Sequence, residues 1–323
     1  MNDVMEYLLE GDPAIRWQTL RDLAGADPET VAAERARVVT EGWGARLLAE
    51  QAPDGLWDGG VYRPGWADED RPMFDAWTAT HFSLQQLRDL GVDPAAPAVV
   101  TALDRVERQV RWDHDDEPYF DGETEPCING VALSIAAYFD RPGGPIAATL
   151  LRTQLPDGGW NCWDEDLSSP ASLHSTICAI EGLADWHHTV PDAEIARALR
   201  RGQEVILERG LLFRRSTGEL IDPRFAMLSY PVRWFYDVLR ALEHFRAVDL
   251  PDPRLADAIA LLRSKQRPDG RFAYENRHEG PVLFEMEGES EGAPSRWVTL
   301  RALRVLSWWD SRAGAGATAD ASA

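Results

Sequence analysis

Three side chains in the sequence are of types that bind soft divalent metals or act as nucleophiles. Cys127 opens the apolar run "CINGVALSIAAYF", Cys162 lies in "GGWNCWDED", and His174 stands early in "LHSTICAIEGL". Two thiolates and an imidazole leave room for a fourth ligand, and such a set suits zinc. Zn2+ held by Cys127, Cys162 and His174 would act as a Lewis acid or hold a thiolate or water nucleophile. Cys178 stands four residues after His174, on the same helix face, and is expected to fill space. A thiol at a helix N-terminus has its pKa lowered by the helix dipole, which makes Cys127 a candidate reactive thiol even without metal.

Carboxylates and aromatic rings stand around these groups. Asp164 and Asp166 follow Cys162 and offer a fourth ligand or a proton acceptor. "FDAWTATHF" carries Asp75 and His81, and "IDPRFAMLSYPVRWFYD" carries Asp222, Arg224, Arg233, Tyr236 and Asp237. Asp164, Asp75 and Tyr236 form the candidate catalytic set. Trp77, Trp163, Trp234 and Trp297 sit near the starts of apolar helices, where ring faces line an apolar cavity and stabilise cations. With His81, Asn129 and Arg224 they form the candidate substrate-binding set. Asp237 is expected to close a buried ion pair with Arg240 or Arg233.

What must hold these groups is a set of helices. Six stretches read as helices buried on most sides: 13–25, 72–90, 127–139, 171–186, 230–247 and 294–309. Between them lie stretches with one apolar stripe and one charged face, at 28–50, 95–111, 143–154, 193–208 and 253–267. The N-terminal "DVMEYLLEG" supplies a sixth outer helix. "IRWQTLRDL" at Ile15 is echoed by "SRWVTLRAL" at Ser295, as in a ring whose ends meet. The expected fold is all-α, an (α/α)6 toroid of six inner and six outer helices. It forms one domain over 1–312, with a disordered small-residue tail at 313–323. In such a ring Cys127, Cys162 and His174 gather at one mouth. The inner-helix N-termini there favour an anionic group.

A loop recurs with these helices. "QAPDGLW" at Gln51, "QLPDGGW" at Gln154 and "QRPDGRF" at Gln266 share Gln-x-Pro-Asp-Gly-x-aromatic. Pro stops an outer helix, and Asp-Gly supplies a turn residue able to take positive φ. The aromatic is expected to pack between outer helices, so these loops are clasps.

Composition limits the function. A formal net charge of −21 argues against nucleic acid and anionic membrane surfaces as partners. No apolar run reaches the ~18 residues of a membrane span. Three cysteines are no disulfide framework, which with the absent signal peptide points to the cytoplasm. Lys265 is the only lysine and sits beside a clasp, so Schiff-base chemistry is not expected.

The clasp sequence and its spacing resemble the QW repeat of the squalene–hopene cyclase, terpenoid cyclase and protein prenyltransferase β-subunit superfamily. The length is similar to a single-barrel prenyltransferase/squalene-oxidase-repeat protein. The resemblance implies an enzyme acting on a small apolar, isoprenoid-like substrate in a central cavity. It also supplies zinc precedents, with Asp, Cys and His in prenyltransferase β subunits. The local spelling around Cys127 and Cys162 departs from them. Two alternatives stand beside this expectation: a metal-free, proton-initiated cyclase, and a non-catalytic toroid that binds a lipid or peptide. The proton-initiated cyclases use Asp-x-Asp-Asp, and "DHDD" at Asp113 to Asp116 ends an outer stretch instead of opening an inner one.

Overall fold

The computed structural model describes residues 2–68, 75–113, 115–162, 168–287 and 290–320, with backbone alone for 2 and 313–320. Among them the regular elements are α-helices and short 3-10 turns, with isolated bridges and no strand. The chain opens with α1 (Asn2–Leu9) outside and α2 (Pro13–Asp22) inside. α3 (Pro28–Ala36) and α4 (Gly42–Ala49) lie outside, and α5 (Thr80–Leu90) lies inside. The alternation continues with α6 (Pro97–Gln109), α7 (Pro126–Tyr138), α8 (Gly144–Arg152) and α9 (Leu173–Thr189). It ends with α10 (Ala193–Leu207), α11 (Val238–Ala247), α12 (Ala256–Ser264) and α13 (Arg296–Asp320).

Side-chain pattern decides which layer each helix joins. α7 is buried continuously from Pro126 to Ala136 and can only be an inner helix. α6 buries the stripe Val99, Ala102, Leu103 and Val106, spaced at i, i+3, i+4 and i+7, and stays outside. The inner helices touch in order: α5 on α7, α7 on α9, α11 on α13 and α13 on α2. Arg240 of α11 reaches Glu181 of α9 at 2.6 Å, and Trp17 of α2 donates to the Leu90 carbonyl of α5 at 3.0 Å. These two links close the ring. The C-terminal turns of α5, α7, α9 and α11 line one common cavity, so these helices run in the same direction. α7 and α9 approach so closely that a Cβ on Gly182 would lie 2.3 Å from the Gly130 carbonyl oxygen. The chain is an all-α toroid.

Its ends meet as the sequence echo suggests. The Tyr7 hydroxyl donates to the Pro294 carbonyl at 3.0 Å, and Arg296 Nε donates to the Tyr7 carbonyl at 2.9 Å. The three repeated loops also share one bonding scheme. Gln51, Gln154 and Gln266 each donate to the glycine carbonyl four residues on, at 3.1, 2.8 and 3.2 Å. Trp57, Trp160 and Phe272 are fully buried. The backbone N–H of each donates to a threonine hydroxyl of the next inner helix: Thr80, Thr176 and Thr299. Trp57 and Trp160 also donate their indole N–H to Leu47 and Leu150 of the preceding outer helix, at 2.7 and 2.8 Å.

Three expected helices are shorter or broken. The stretch 28–50 divides into α3 and α4 because Gly42 takes φ +66° at the break. The stretch 72–90 is helical only from Thr80, so Asp75 and Trp77 belong to the approach to α5. The stretch 230–247 becomes helical at Val238. Pro231 and the left-handed φ of Arg233, 54°, keep the preceding residues irregular.

Candidate active site in the bore of the toroid

The inner ring encloses a cavity of about 780 Å3, within the range of small-molecule sites. Tyr230 and Trp297 border it and stack on each other with centroids 4.5 Å apart. Its walls are the C-terminal halves of α5, α7, α9 and α11 with part of α13. Among the described residues, aromatic rings crowd the other end of the ring, where the inner helices begin. Trp77, His174, Trp234, Phe235 and His278 pack there as stacked and edge-to-face rings. An anionic group expected at the helix N-termini would meet these bulky rings of the approach loops, while the cavity of about 780 Å3 lies on the C-terminal side.

The cavity wall is charged but matched. Arg240 donates to Glu181, Arg304 and Arg246 donate to Glu243, and Arg88 pairs with Asp89 at 2.8 Å. Burial alone would raise the Glu243 pKa, but the guanidiniums of Arg304, Arg246 and Arg301 hold it at about 2. Glu181 is likewise held below the ordinary range by Arg240, against the effect of burial. His244, bonded to Gln203 at 3.1 Å, is neutral because burial drops its pKa to about 4. Asp185 behaves differently. Its carboxylate accepts from the Ser134 hydroxyl at 2.7 Å and lacks a guanidinium within ion-pair distance among the described residues. Its side chain is exposed, opening into the cavity. The surrounding protein raises its pKa, and the more distant Arg88 and the Ser134 hydroxyl only partly oppose that. A raised pKa favours the protonated form, and a carboxyl so placed at a cavity wall is a candidate general acid.

The sequence-based candidates are distributed differently. Among the described residues, only Trp297 of the proposed substrate-binding set lines this cavity. Trp77 lies under the segment 279–284, donating its indole N–H to the Glu279 carbonyl at 2.8 Å. His81 is buried, bonded through Nδ1 to the Tyr119 hydroxyl at 3.0 Å, with its pKa lowered by burial to about 3. Asn129 accepts from the Glu123 N–H at 2.8 Å and ties the turn before α7. Arg224 is exposed and forks onto Asp222 at 2.6 Å. Trp234 stacks on Phe235 at 4.0 Å. Tyr236 is buried with its hydroxyl on the Leu211 carbonyl at 2.7 Å, and Asp75 is half-buried ahead of α5. Neither borders the cavity. Asp164 and Trp163 lie outside the described residues. Asp237 caps α11, accepting from the Arg240 N–H at 2.7 Å and from the Ser229 hydroxyl at 2.5 Å, while the Arg240 guanidinium goes to Glu181. The expected Asp237–arginine ion pair is thus replaced by a helix cap. Asp113, Asp115 and Asp116 are exposed beyond α6.

The two thiols do meet. Cys162 Sγ accepts from the Cys127 N–H at 3.3 Å and from the Ser175 hydroxyl at 3.2 Å. The third group is Glu125, not His174: donor atoms of Glu125, Cys127 and Cys162 lie within 4.8 Å of one another. His174 Nδ1 instead accepts the Tyr236 N–H at 2.8 Å, with the ring wedged among aromatics, and burial with the charges of Arg240 and Arg224 lowers its pKa to about 4. Cys127 does not have the depressed pKa expected at a helix start. The neighbouring Cys162 sulfur and burial push it up, and burial also raises Glu125. Cys178 lies buried in the core, as space-filling predicts.

No protein-family profile matches the chain, and no curated protein matches it. Solved structures do resemble it over nearly all its length. A protein from Actinoplanes aligns over 96% of this chain and 98% of its own, with 18% identity and a TM-score of 0.47. The type II terpene cyclase MstE from Scytonema aligns over 94% of this chain and 95% of its own, with 17% identity and a TM-score of 0.45. A variant of that cyclase in complex with geranylgeranyl dihydroxybenzoate aligns over 95% of each chain, with 15% identity and a TM-score of 0.44. Among the described residues no helix is long and apolar enough to cross a membrane.

Proposed function

We propose that the chain is a terpenoid-cyclase-like enzyme that acts on an isoprenoid-like substrate in the bore, with Asp185 as proton donor. The observation that carries this reading is a carboxyl of raised pKa facing a cavity of about 780 Å3. Ser134 orients that carboxyl, and the Tyr138, Tyr230 and Trp297 side chains share the cavity wall. Ring faces stabilise a developing carbocation, and the paired arginines leave the wall without a large uncompensated charge. Asp185 would protonate an alkene or epoxide, the cyclised cation would lose a proton to water or take up water, and Asp185 would be reprotonated from solvent. The test is incubation with farnesyl, geranylgeranyl and squalene-type substrates in the presence of chelator, with products read by mass spectrometry. Turnover by wild type, abolished in a folded Asp185→Asn protein, is the expected result. Substrate binding without product would favour a non-catalytic binding toroid instead.

A second reading concerns Zn2+. The approach of Glu125, Cys127 and Cys162 supports a zinc-type ion at the start of α7, with one position left for water. That cluster does not border the bore cavity, whose share of α7 is Ala137 and Tyr138 at the other end of the helix. Over that length α7 rises about 15 Å. Zinc there would clamp α7 to the loop before α9 rather than act on a substrate in the bore.

A further inference from the structure

Arg233 differs from the other buried cations of the ring. It is 7% exposed, and it has no carboxylate within ion-pair distance among the described residues. Arg240, Arg301 and Arg304 each face Glu181 or Glu243, and Arg88 faces Asp89. The Arg233 guanidinium stands 5.6 Å from the Trp77 ring centroid, a cation–π contact that leaves its N–H fork unused. Its backbone is fixed: the Arg233 carbonyl accepts from Gln85 at 2.8 Å and from Arg240 at 3.3 Å. Burial lowers its pKa to about 10, weakly opposed by Tyr230, Asp89, Tyr274 and Glu285.

The side chain borders two small spaces beneath the segment 282–287, of about 30 and 60 Å3. The larger one exceeds the room a water needs several-fold and accommodates a single oxyanion group. The acids on its wall are engaged: Glu285 takes Arg277 at 2.5 Å, and Glu287 accepts the Trp297 N–H at 3.1 Å. Tyr230 and Trp297 border both this space and the bore cavity, so their stacked pair is the partition between the two.

We propose that Arg233 is an anion-binding residue for a phosphate or carboxylate group of the ligand, with that group held beneath the segment 282–287. A buried guanidinium without a counter-ion is costly, and its fork fits a carboxylate or phosphate through two parallel hydrogen bonds. A ligand anchored here would place its apolar body against Tyr230 and Trp297, the wall shared with the bore. The body's position rests on the bore being the container proposed above; the anion site does not.

The test is binding of dodecyl phosphate, dodecanoate and dodecanol, read by calorimetry and by tryptophan fluorescence, since Trp77 and Trp297 flank the site. Wild type is expected to bind one of the two anions about tenfold or more tightly than dodecanol. The stronger anion tells phosphate from carboxylate. Arg233→Met is expected to lose that preference and, without ligand, to melt at a higher temperature than wild type, because an uncompensated buried charge has gone. Retained anion preference in Arg233→Met overturns the proposal. So does a lowered melting temperature, which would mean that the fold itself needs the charge. The readout is binding alone, so its failure leaves the reading of Asp185 untouched.

Discussion

Arg240 of α11 forks onto Glu181 of α9, with donor distances of 2.6 and 3.0 Å, while its remaining N–H groups reach the Phe235 carbonyl at 2.7 Å and the Arg233 carbonyl at 3.3 Å. One guanidinium therefore joins two inner helices and fixes the loop between Trp234 and Asp237. Removing the acid alone leaves a buried charge. Glu181→Ala should cost about 3–5 kcal/mol in chemical denaturation. Combining it with Arg240→Met should restore part of that loss, which a double-mutant cycle measures.

Trp160 belongs to a clasp and not to the cavity. It is fully buried with its indole on the Leu150 carbonyl. Trp160→Ala should lower stability by about 3–5 kcal/mol. Ligand binding by the protein that remains folded should be unchanged. A stable Trp160→Ala protein that had lost its ligand would place this tryptophan in the site.

Histidines set the acid side of the stability curve. Burial holds His244 at about 4 and His81 at about 3, both below the ordinary histidine value of 6.5. Below pH 6.5 the unfolded chain takes up protons that the native state refuses. Stability is therefore full above that pH and falls as pH drops toward 4. For these two residues the loss at pH 5.5 is about 3 kcal/mol, from ~1.4 kcal/mol per unit for each. His174, held at about 4, adds a similar amount, so urea midpoints at pH 7 and 5.5 should show at least this loss, and His244→Gln should remove about half of the share that His244 and His81 contribute.

The thiol cluster gives a metal prediction with a built-in control. Purified under reducing conditions without chelator, wild type should carry one equivalent of zinc. Cys127→Ser, Cys162→Ser and Glu125→Gln should each lower the content, while His174→Ala should not, because its Nδ1 serves the Tyr236 N–H. Elemental analysis decides this. A metal-free wild type, or loss of zinc in a folded His174→Ala protein, would remove the Glu125–Cys127–Cys162 assignment.

The helical layers were legible because burial writes itself into periodicity: "CINGVALSIAAYF" has no polar face to expose and could only be an inner helix. The clasps were legible because Pro, Asp and Gly act locally. The meeting of Cys127 with Cys162 followed from helix order alone. The third member did not, because whether Glu125 or His174 turns toward the thiols depends on which side chain the backbone of Tyr236 claims first. The bore was the least legible part. Its polar lining is written as charges interrupting apolar helices, as with Glu181 and Asp185 four residues apart in "IEGLADW". Sequence reasoning instead looked to the helix starts, where tryptophans cluster. It could not know that those rings crowd the mouth they were expected to line.

The closure of α1 on α13 has a consequence for biogenesis. The Tyr7 hydroxyl donates to the carbonyl of Pro294, a partner 287 residues downstream. Until that segment leaves the ribosome, the growing chain is an open arc with two raw apolar flanks. The flank of α2 is the oldest and stays uncovered longest. Long-range closure of this kind is slow and exposes sticky surface meanwhile. The bore is then the last thing to close during synthesis, and a truncated product that stopped before α13 would hold most of its wall with one side left open.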